Sequence, residues 1–177
     1  ISTEYILKDP TVEFAVLETA RGGILRSGLG FSRCDIGIIT NISADHLGLS
    51  DIDTLSDLAR VKKVVVRSVK KDGWAILNAD DEECVKIASE LECNVAYFSM
   101  DEENPLIKKL GKEGRIVAVY ENGYITIKKG DWKIRVEKAA HIPLTLGGKA
   151  KFMIANVLAA TLASYLWGFK TEDISLS

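Results

Sequence analysis

The chain has 177 residues, of which 47% are hydrophobic and 27% charged, with a formal net charge of −2 at pH 7. It can bury the core of one globular domain, and its weak negative charge argues against nucleic acid or an anionic membrane as a partner. No apolar stretch reaches the length of a membrane span, and the three cysteines form no CxxC pair, which indicates reduced thiols of a cytoplasmic protein and not a disulfide framework or zinc site.

The first predicted element is a buried strand at residues 12–17, which ends at Glu18. A glycine-rich stretch follows, with four glycines between residues 22 and 30. Such a stretch can turn tightly or approach a ligand closely. It matches neither a Walker A loop nor a GxGxxG fingerprint, so the pattern favours a crossover loop over a phosphate cradle.

A second apolar run, residues 35–39, predicts a strand buried on both faces of a parallel sheet. The connection from Glu18 is long enough for a parallel crossover, so Glu18 and the polar residues 40–48 are expected at one edge of the sheet. Ligands bind at the carboxyl edge of such sheets. There Asp45 and His46 can hold a hard cation, transfer a proton or cap a turn.

A helix is predicted to begin after Thr54, with Asp57 in the capping-box position. Its core-facing stripe consists of Leu55, Leu58, Val65, Val66 and Val69. Lys62 lies inside this stripe, where a lysine either snorkels to the rim, which base rates favour, or has a specific partner. Lys63 points elsewhere and is expected to be solvated. Basic residues and a glycine at 70–73 predict the end of the helix.

Further strands at residues 74–77 and 94–98 alternate with helical segments, which predicts a parallel α/β sheet with flanking helices. Asp80 is expected to cap the helix between them. From residue 115 onward the pattern becomes three short alternating segments with tight turns, at 115–120, 124–128 and 132–137. They predict a small antiparallel β meander, either an appendage of the same domain or, less favoured, a separate flap.

A last helix is predicted over residues 149–167. Its buried stripe is Phe152, Ala155, Ala159, Leu162 and Leu166. Asn156 lies beside this stripe near the start of the helix. Its neutral amide can pair with a purine edge or with a nearby backbone group, and the sequence does not separate the two.

Several of these features share one order along the chain: Glu18 after a strand, the segment 40–46, Lys62, the segment 78–81 and Asn156. In this order they resemble the central ATPase domain of the Mur ligase family, which includes muramyl peptide ligases and folylpolyglutamate synthase. Three motifs, ETARGGILR, NISADHLGL and FMIAN, are most similar to the cyanophycin synthetase branch. The resemblance covers nearly the whole chain.

The resemblance implies roles for individual residues. Glu18 would help to hold a magnesium ion near the reacting phosphate, and His46 would coordinate the second magnesium. Lys62, if carbamylated, would add a further anionic ligand. These three residues would therefore be the catalytic and metal-binding set. The nucleotide-side residues would be Asn156, which contacts the adenine of ATP, with Asn41 and Asp45 shaping the loop that presents His46.

Two departures from the family pattern limit how far the family's residue roles can be assigned to this chain. No G-x-x-x-x-G-K-[ST] motif is present, and in the family that loop lies upstream. We therefore expect residues 1–177 to be a single domain, a fragment of the central domain that lacks the upstream P-loop and the C-terminal domain and is inactive in isolation. The usual His-Asn pair three residues before the adenine-side asparagine is Phe152-Met153 here, which weakens the transfer of nucleotide contacts.

The implied chemistry is ATP-dependent amide formation through an acyl phosphate. In the cyanophycin synthetase branch this joins arginine to the aspartate side chains of polyaspartate, so the expected partners are ATP, magnesium, arginine and that polymer. No nucleic acid or membrane is expected, and the full-length parent is expected to be a cytoplasmic homo-oligomer. The alternatives are another Mur-type ligase, against which the motif at residues 18–26 argues, and a folded fragment without activity.

Overall fold

The computed structural model describes residues 2–43 and 54–176. A six-stranded sheet runs through them in the order β1-β2-β3-β4-β5-β6. The strands are β1 Cys34–Ile39, β2 Val69–Asn78, β3 Asn94–Ser99, β4 Ile116–Glu121, β5 Tyr124–Lys129 and β6 Trp132–Lys138. Neighbours from β1 to β4 pair in parallel, and β4-β5 and β5-β6 pair antiparallel. The predicted α/β class is confirmed, and the meander continues the same sheet.

Helices cover both faces of this sheet. They are α1 Ser2–Lys8, α2 Arg21–Ser27, α3 Leu55–Arg67, α4 Glu82–Ile87, α5 Pro105–Lys112, α6 Lys151–Trp167 and α7 Thr171–Leu176. Apolar residues of α3, α4 and α5 pack with β1–β4 on one face. On the other face α6 contributes Ile154, Leu158 and Leu162 to a second apolar layer. Both layers are buried, as expected for a largely parallel sheet. None of the described helices is long and apolar enough to cross a membrane.

Helix α3 begins as predicted and ends earlier than predicted. The Thr54 side chain accepts a hydrogen bond from the Asp57 backbone N–H, which completes the capping box. Ser68 closes the helix, and residues 69–73 belong to β2. The prediction of a helix end at 70–73 was therefore wrong. Gly73 is needed because a Cβ there would lie 2.3 Å from the Asp35 carbonyl oxygen on the neighbouring strand.

The predicted buried strand at residues 12–17 was also wrong. This segment has no strand pairing and stays largely exposed, with Val16 at 87% and Phe14 at 51% of full exposure. Because strands are stabilised by pairing, an apolar run alone does not make one. The expected parallel crossover from Glu18 to β1 is therefore absent from the described sheet.

Three predictions about single residues were wrong. Asp81, and not Asp80, caps α4. Phe152 is exposed, because the buried face of α6 is turned toward Ile154 and Leu158. Lys63 is not free in solvent, because both carboxylate oxygens of Glu90 accept hydrogen bonds from its amine, at 2.8 and 2.9 Å. Helix α5, with Asn104 as its cap, lies in a stretch for which no element is predicted above.

Candidate nucleotide and phosphate site at the carboxyl edge of the sheet

The carboxyl ends of the three parallel strands β1, β2 and β3 each lead into polar residues. Thr40 and Asn41 follow β1, residues 78–81 close and follow β2, and Ser99 ends β3. Such an edge is where open α/β sheets bind ligands. The fold thus gathers the polar segments predicted from the sequence onto one edge.

Lys62 reaches this edge from α3. Its Nζ donates a hydrogen bond to the main-chain oxygen of Asn41 at 2.7 Å and lies 3.5 Å from the Asn41 side-chain oxygen. The lysine therefore has a specific partner instead of only snorkelling to the rim. Two of the residues predicted for the site, Asn41 and Lys62, are in direct contact.

Asp81 connects the β1 loop to α4. One of its carboxylate oxygens accepts from the Ile42 backbone N–H at 2.6 Å, and the other accepts from the Cys84 backbone N–H at 3.1 Å. Asn78 adds a second link, since its side-chain amide donates to the Thr40 carbonyl oxygen at 2.9 Å. These bonds fix the backbone on both sides of Asn41, and so they position the oxygen atoms that Lys62 contacts.

Asp80 forms hydrogen bonds with the loop that follows β3 and does not cap α4. Its carboxylate accepts from the Met100 backbone N–H at 2.7 Å and the Asn104 side-chain amide at 2.9 Å, and it lies 2.5 Å from the Ser99 hydroxyl oxygen. Sequence reasoning missed Ser99 and Asn104. The Asn-Pro pair at 104–105 was the available signal, because proline is favoured at the first position of a helix and asparagine just before it.

Cys84 lies directly beneath this edge and is fully buried. Burial, aided by the negative charge of Asp81, raises the pKa of its thiol to about 12. At neutral pH the thiol is therefore protonated and unreactive. All three cysteines are free of disulfides.

The start of α6 reaches the same edge. Strand β6 is parallel to β4, because both are antiparallel to β5, so its last residues lie at the carboxyl edge. The Ala139 backbone N–H donates to the Gly123 carbonyl oxygen at 2.9 Å and anchors the chain there before α6 begins. Phe152 and Asn156, one helical turn apart, are both exposed.

The remaining predicted residues are not brought together by the described contacts. Glu18 is exposed ahead of α2, and no described hydrogen bond or ion pair joins it to Asn41 or Lys62. Asp45 and His46 lie outside the described residues. Across residues 2–43 and 54–176, no group of three His, Cys, Asp or Glu side chains is placed to hold a metal ion.

Comparison with known proteins places this geometry in context. The family model described as "Mur ligase middle domain" matches residues 3–164. Cyanophycin synthetases from a Nostoc and a Synechocystis species are 55% and 53% identical to the chain over 98% of its length. The chain covers 19% of the first of these relatives and 20% of the second, about a fifth of their length.

Solved structures show the same fold at low sequence identity. MurF from Acinetobacter baumannii matches with a TM-score of 0.53 and 18% identity, over 80% of this chain and 28% of that one. The murein peptide ligase Mpl from Psychrobacter arcticus matches with a TM-score of 0.52 and 13% identity, over 83% of this chain and 27% of that one.

Proposed function

This chain belongs to the Mur ligase middle-domain family, and on that premise we propose that it is the nucleotide-handling part of an ATP-dependent ligase that joins arginine to aspartate side chains of polyaspartate. The observation that carries the proposal is 52–55% identity to cyanophycin synthetases along nearly the whole chain. Muramate–alanine ligases are less similar, for example 26% identical over 78% of the chain, which disfavours the other Mur-type substrates. The parent protein would act in the cytoplasm, where ATP is available.

In this proposal the contact between Asn41 and Lys62 marks the phosphate side of the site. Carboxylate and carbonyl oxygens suit magnesium, and the Asn41 oxygens and the exposed Glu18 carboxylate are of that kind. Glu18 and His46 would hold the metal, together with Lys62 if it is carbamylated. Magnesium would neutralise the charge that develops on the transferred phosphoryl group.

The residues of the chain would position the reactants around that charge. Asn156, exposed at the carboxyl edge, would pair with the adenine of ATP. Asn41 and Asp45 would set the loop that carries His46. The acceptor carboxylate would attack the γ-phosphate to give an acyl phosphate, and the amine of arginine would then displace phosphate to form the amide.

We also propose that the 177 residues are one domain that another segment of the parent completes. A cavity of about 540 Å³ separates the extended segment 12–17 from β1, and its lining includes Phe14, Ile36, Ile38 and Trp167. The relatives are about five times longer, so chain to fill it is available in the parent. We assign the cavity to an upstream strand that leads into a P-loop, and we expect the isolated chain to be inactive.

The test is incorporation of labelled amino acids into a polyaspartate primer by the full-length parent with ATP and magnesium. We expect arginine to be incorporated, His46→Ala and Lys62→Gln to abolish incorporation, and Asn156→Ala to raise the KM for ATP about tenfold through the loss of one hydrogen bond. Lys63→Gln is the matched control, because Lys63 pairs with Glu90, and it should retain activity. Failure of the wild type to incorporate any amino acid would overturn the proposed function.

The carbamate on Lys62 needs its own measurement. Carbon-13 NMR of the parent in labelled bicarbonate should show a carbamate carbon that is lost in Lys62→Gln and kept in Lys63→Gln. Absence of that signal in an active wild type would remove Lys62 from the metal ligands and leave its hydrogen bond to Asn41 as its role.

A further inference from the structure

One peptide group in the loop after β1 lies between two side chains of opposite charge. Its carbonyl oxygen belongs to Asn41 and accepts a hydrogen bond from the Lys62 Nζ at 2.7 Å. Its N–H belongs to Ile42 and donates to a carboxylate oxygen of Asp81 at 2.6 Å. Because a trans peptide is a planar, rigid unit whose C=O and N–H point in opposite directions, the amine and the carboxylate contact its two opposite sides.

Both contacts match the polarity of this peptide group. A peptide dipole is positive at its N–H and negative at its C=O, so a carboxylate at the N–H and an ammonium at the C=O are each favourable. Hydrogen bonds with a charged partner are about twice as strong as neutral ones, and bonds in a chain polarise and strengthen one another. The bond to Asp81 therefore strengthens the bond that holds Lys62.

The bond to Asp81 also fixes the rotation of the peptide. The chain is anchored on both sides of it, because the Ile42 side chain is buried and the Asn78 amide donates to the Thr40 carbonyl oxygen at 2.9 Å. Between these anchors the peptide plane itself can still turn. A half-turn would present the Ile42 N–H to the Lys62 amine, which would set two donors against each other. Asp81 holds the orientation in which Lys62 meets an acceptor.

Helix α4 holds the Asp81 carboxylate in place for this contact. Its second oxygen accepts from the Cys84 backbone N–H at 3.1 Å at the start of that helix, and Cys84 is fully buried. The carboxylate is thus attached to the core and reaches the loop with its other oxygen. The two bonds of Asp81 therefore have separable roles, one in capping α4 and one in orienting the peptide between residues 41 and 42.

We propose that Asp81 is a positioning residue for the candidate site, which acts on Lys62 through the peptide group between Asn41 and Ile42. It does so without contact to the reacting atoms. By holding the Asn41 carbonyl oxygen toward α3, it keeps the Lys62 amine at one place on the carboxyl edge. The importance of Lys62 for the reaction rests on the proposed function, whereas the coupling of Asp81 to Lys62 rests on the contacts described here.

The variant Asp81→Ser separates the two roles. Serine is a good helix cap and keeps the bond to the Cys84 N–H, but its side chain is shorter and has a single oxygen, so it loses the bond to Ile42. Glu82→Ser is the matched control, because it makes the same substitution for an acidic residue at the next, exposed position. Both variants are made in the full-length parent.

Kinetics of amide formation test the positioning role. We expect Asp81→Ser to lower kcat about tenfold, the effect of one hydrogen bond, and to leave the KM for ATP unchanged. Its melting temperature should fall less than that of Asp81→Ala, because the cap of α4 remains. Glu82→Ser should match the wild type in kcat, KM and melting temperature.

Amine labelling tests the coupling without the reaction. The parent is treated briefly with an acetylating reagent in bicarbonate-free buffer, so that Lys62 carries no carbamate, and acetylation of Lys62 and Lys63 is measured by mass spectrometry. We expect labelling of Lys62 to rise about tenfold in Asp81→Ser, since its amine loses the acceptor that engages it. Lys63, whose amine is held by Glu90, should be labelled equally in the variant and the wild type.

The two measurements distinguish this inference from the proposed function. Unchanged labelling of Lys62 in Asp81→Ser would overturn the inference, and so would an equal rise at Lys62 and Lys63, because Asp81 would then only stabilise the fold. A selective rise at Lys62 with wild-type kcat would overturn the positioning role. A wild type that incorporates no amino acid, with a selective rise at Lys62 in the variant, would refute the proposed function and support the coupling.

Discussion

Asp81 links two segments that are 39 residues apart, since it caps α4 and also accepts from the Ile42 backbone N–H. We predict that Asp81→Ala lowers the free energy of unfolding by about 2–3 kcal/mol, through the loss of a helix cap and of a charged hydrogen bond. Asp81→Asn should lose less, because an amide oxygen can still accept one of the two bonds. Urea denaturation of the 177-residue chain measures both changes.

Glu82→Ala is the control for this prediction. Glu82 is the next residue, is exposed and makes no hydrogen bond or ion pair with the described residues, so its loss should change stability by at most about 0.5 kcal/mol. Equal losses for Asp81→Ala and Glu82→Ala would show that the link to the β1 loop does not contribute.

Cys84 should make the free energy of unfolding fall as the pH rises in the alkaline range. Burial raises the pKa of its thiol from about 9 to about 12, so the folded chain keeps the proton that the unfolded chain releases above pH 9. This contribution is fully present below pH 9 and is lost as the pH rises toward 12, by up to about 1.4 kcal/mol per unit. Urea midpoints between pH 8 and 10.5 should fall more steeply for the wild type than for Cys84→Ala. Parallel curves would contradict the prediction.

At the scale of single residues, the sequence indicated which residues have a special role but not which residues they contact. It singled out Lys62 as unusual in an apolar stripe and Thr54 with Asp57 as a cap, and the structure confirms the cap. The partner of Lys62 and the choice of Asp81 over Asp80 depend on how the loop after β1 meets α4. Those two segments are far apart in sequence, and no local pattern reports their contact.

Two glycines in regular elements should respond in opposite ways to alanine. At Gly73 in β2 a Cβ would lie 2.3 Å from the Asp35 carbonyl oxygen, so Gly73→Ala must push β1 and β2 apart. We predict a loss of about 2–4 kcal/mol, in the range of other overpacked and strained sites. Thermal unfolding followed by circular dichroism measures it.

Gly111 in α5 is the matched control, because a Cβ there meets nothing within 4 Å. Gly111→Ala should raise stability by about 0.5–1 kcal/mol through better helix propensity. A neutral Gly73→Ala would mean that the close approach of the two strands relaxes at no cost.

Elements defined by residues close together in sequence, such as turns and helix caps, were predictable. Strands that depend on pairing with a segment distant in sequence were not. A tight turn was predicted between the segments 115–120 and 124–128, and Asn122 and Gly123 there indeed adopt positive φ angles of 50° and 84°. The helix end at 70–73 looked equally clear, but pairing of β2 with β1 overrides it. The apolar run at 12–17 resembles β1 in composition and differs in having no paired neighbour.

At the scale of the whole molecule, the distribution of charge and the exposed apolar segment have different origins. Residues 105–138 contain nine Lys and Arg but four Asp and Glu, and this excess of positive charge can be read directly from the sequence. Phe14 and Val16 instead are exposed beside the cavity at β1, a feature that no sequence pattern indicated. The composition of the chain therefore predicted a globular domain, and we propose that another segment of the parent completes its sheet.

Hydrogen exchange of the isolated chain and of the full-length parent tests whether a further strand fills that cavity. If it does, the backbone amides of residues 12–17 gain partners, and their exchange should slow about a hundredfold or more in the parent, because each becomes part of a cooperative sheet. Amides of β3 and β4, which are paired within this chain, should exchange at similar rates in both proteins and serve as the internal control. Rapid exchange at 12–17 in the parent would show that the segment stays outside the sheet. The Phe14 contact with Trp167, at 5.0 Å between ring centres, would then be its final packing and not a substitute for a missing neighbour.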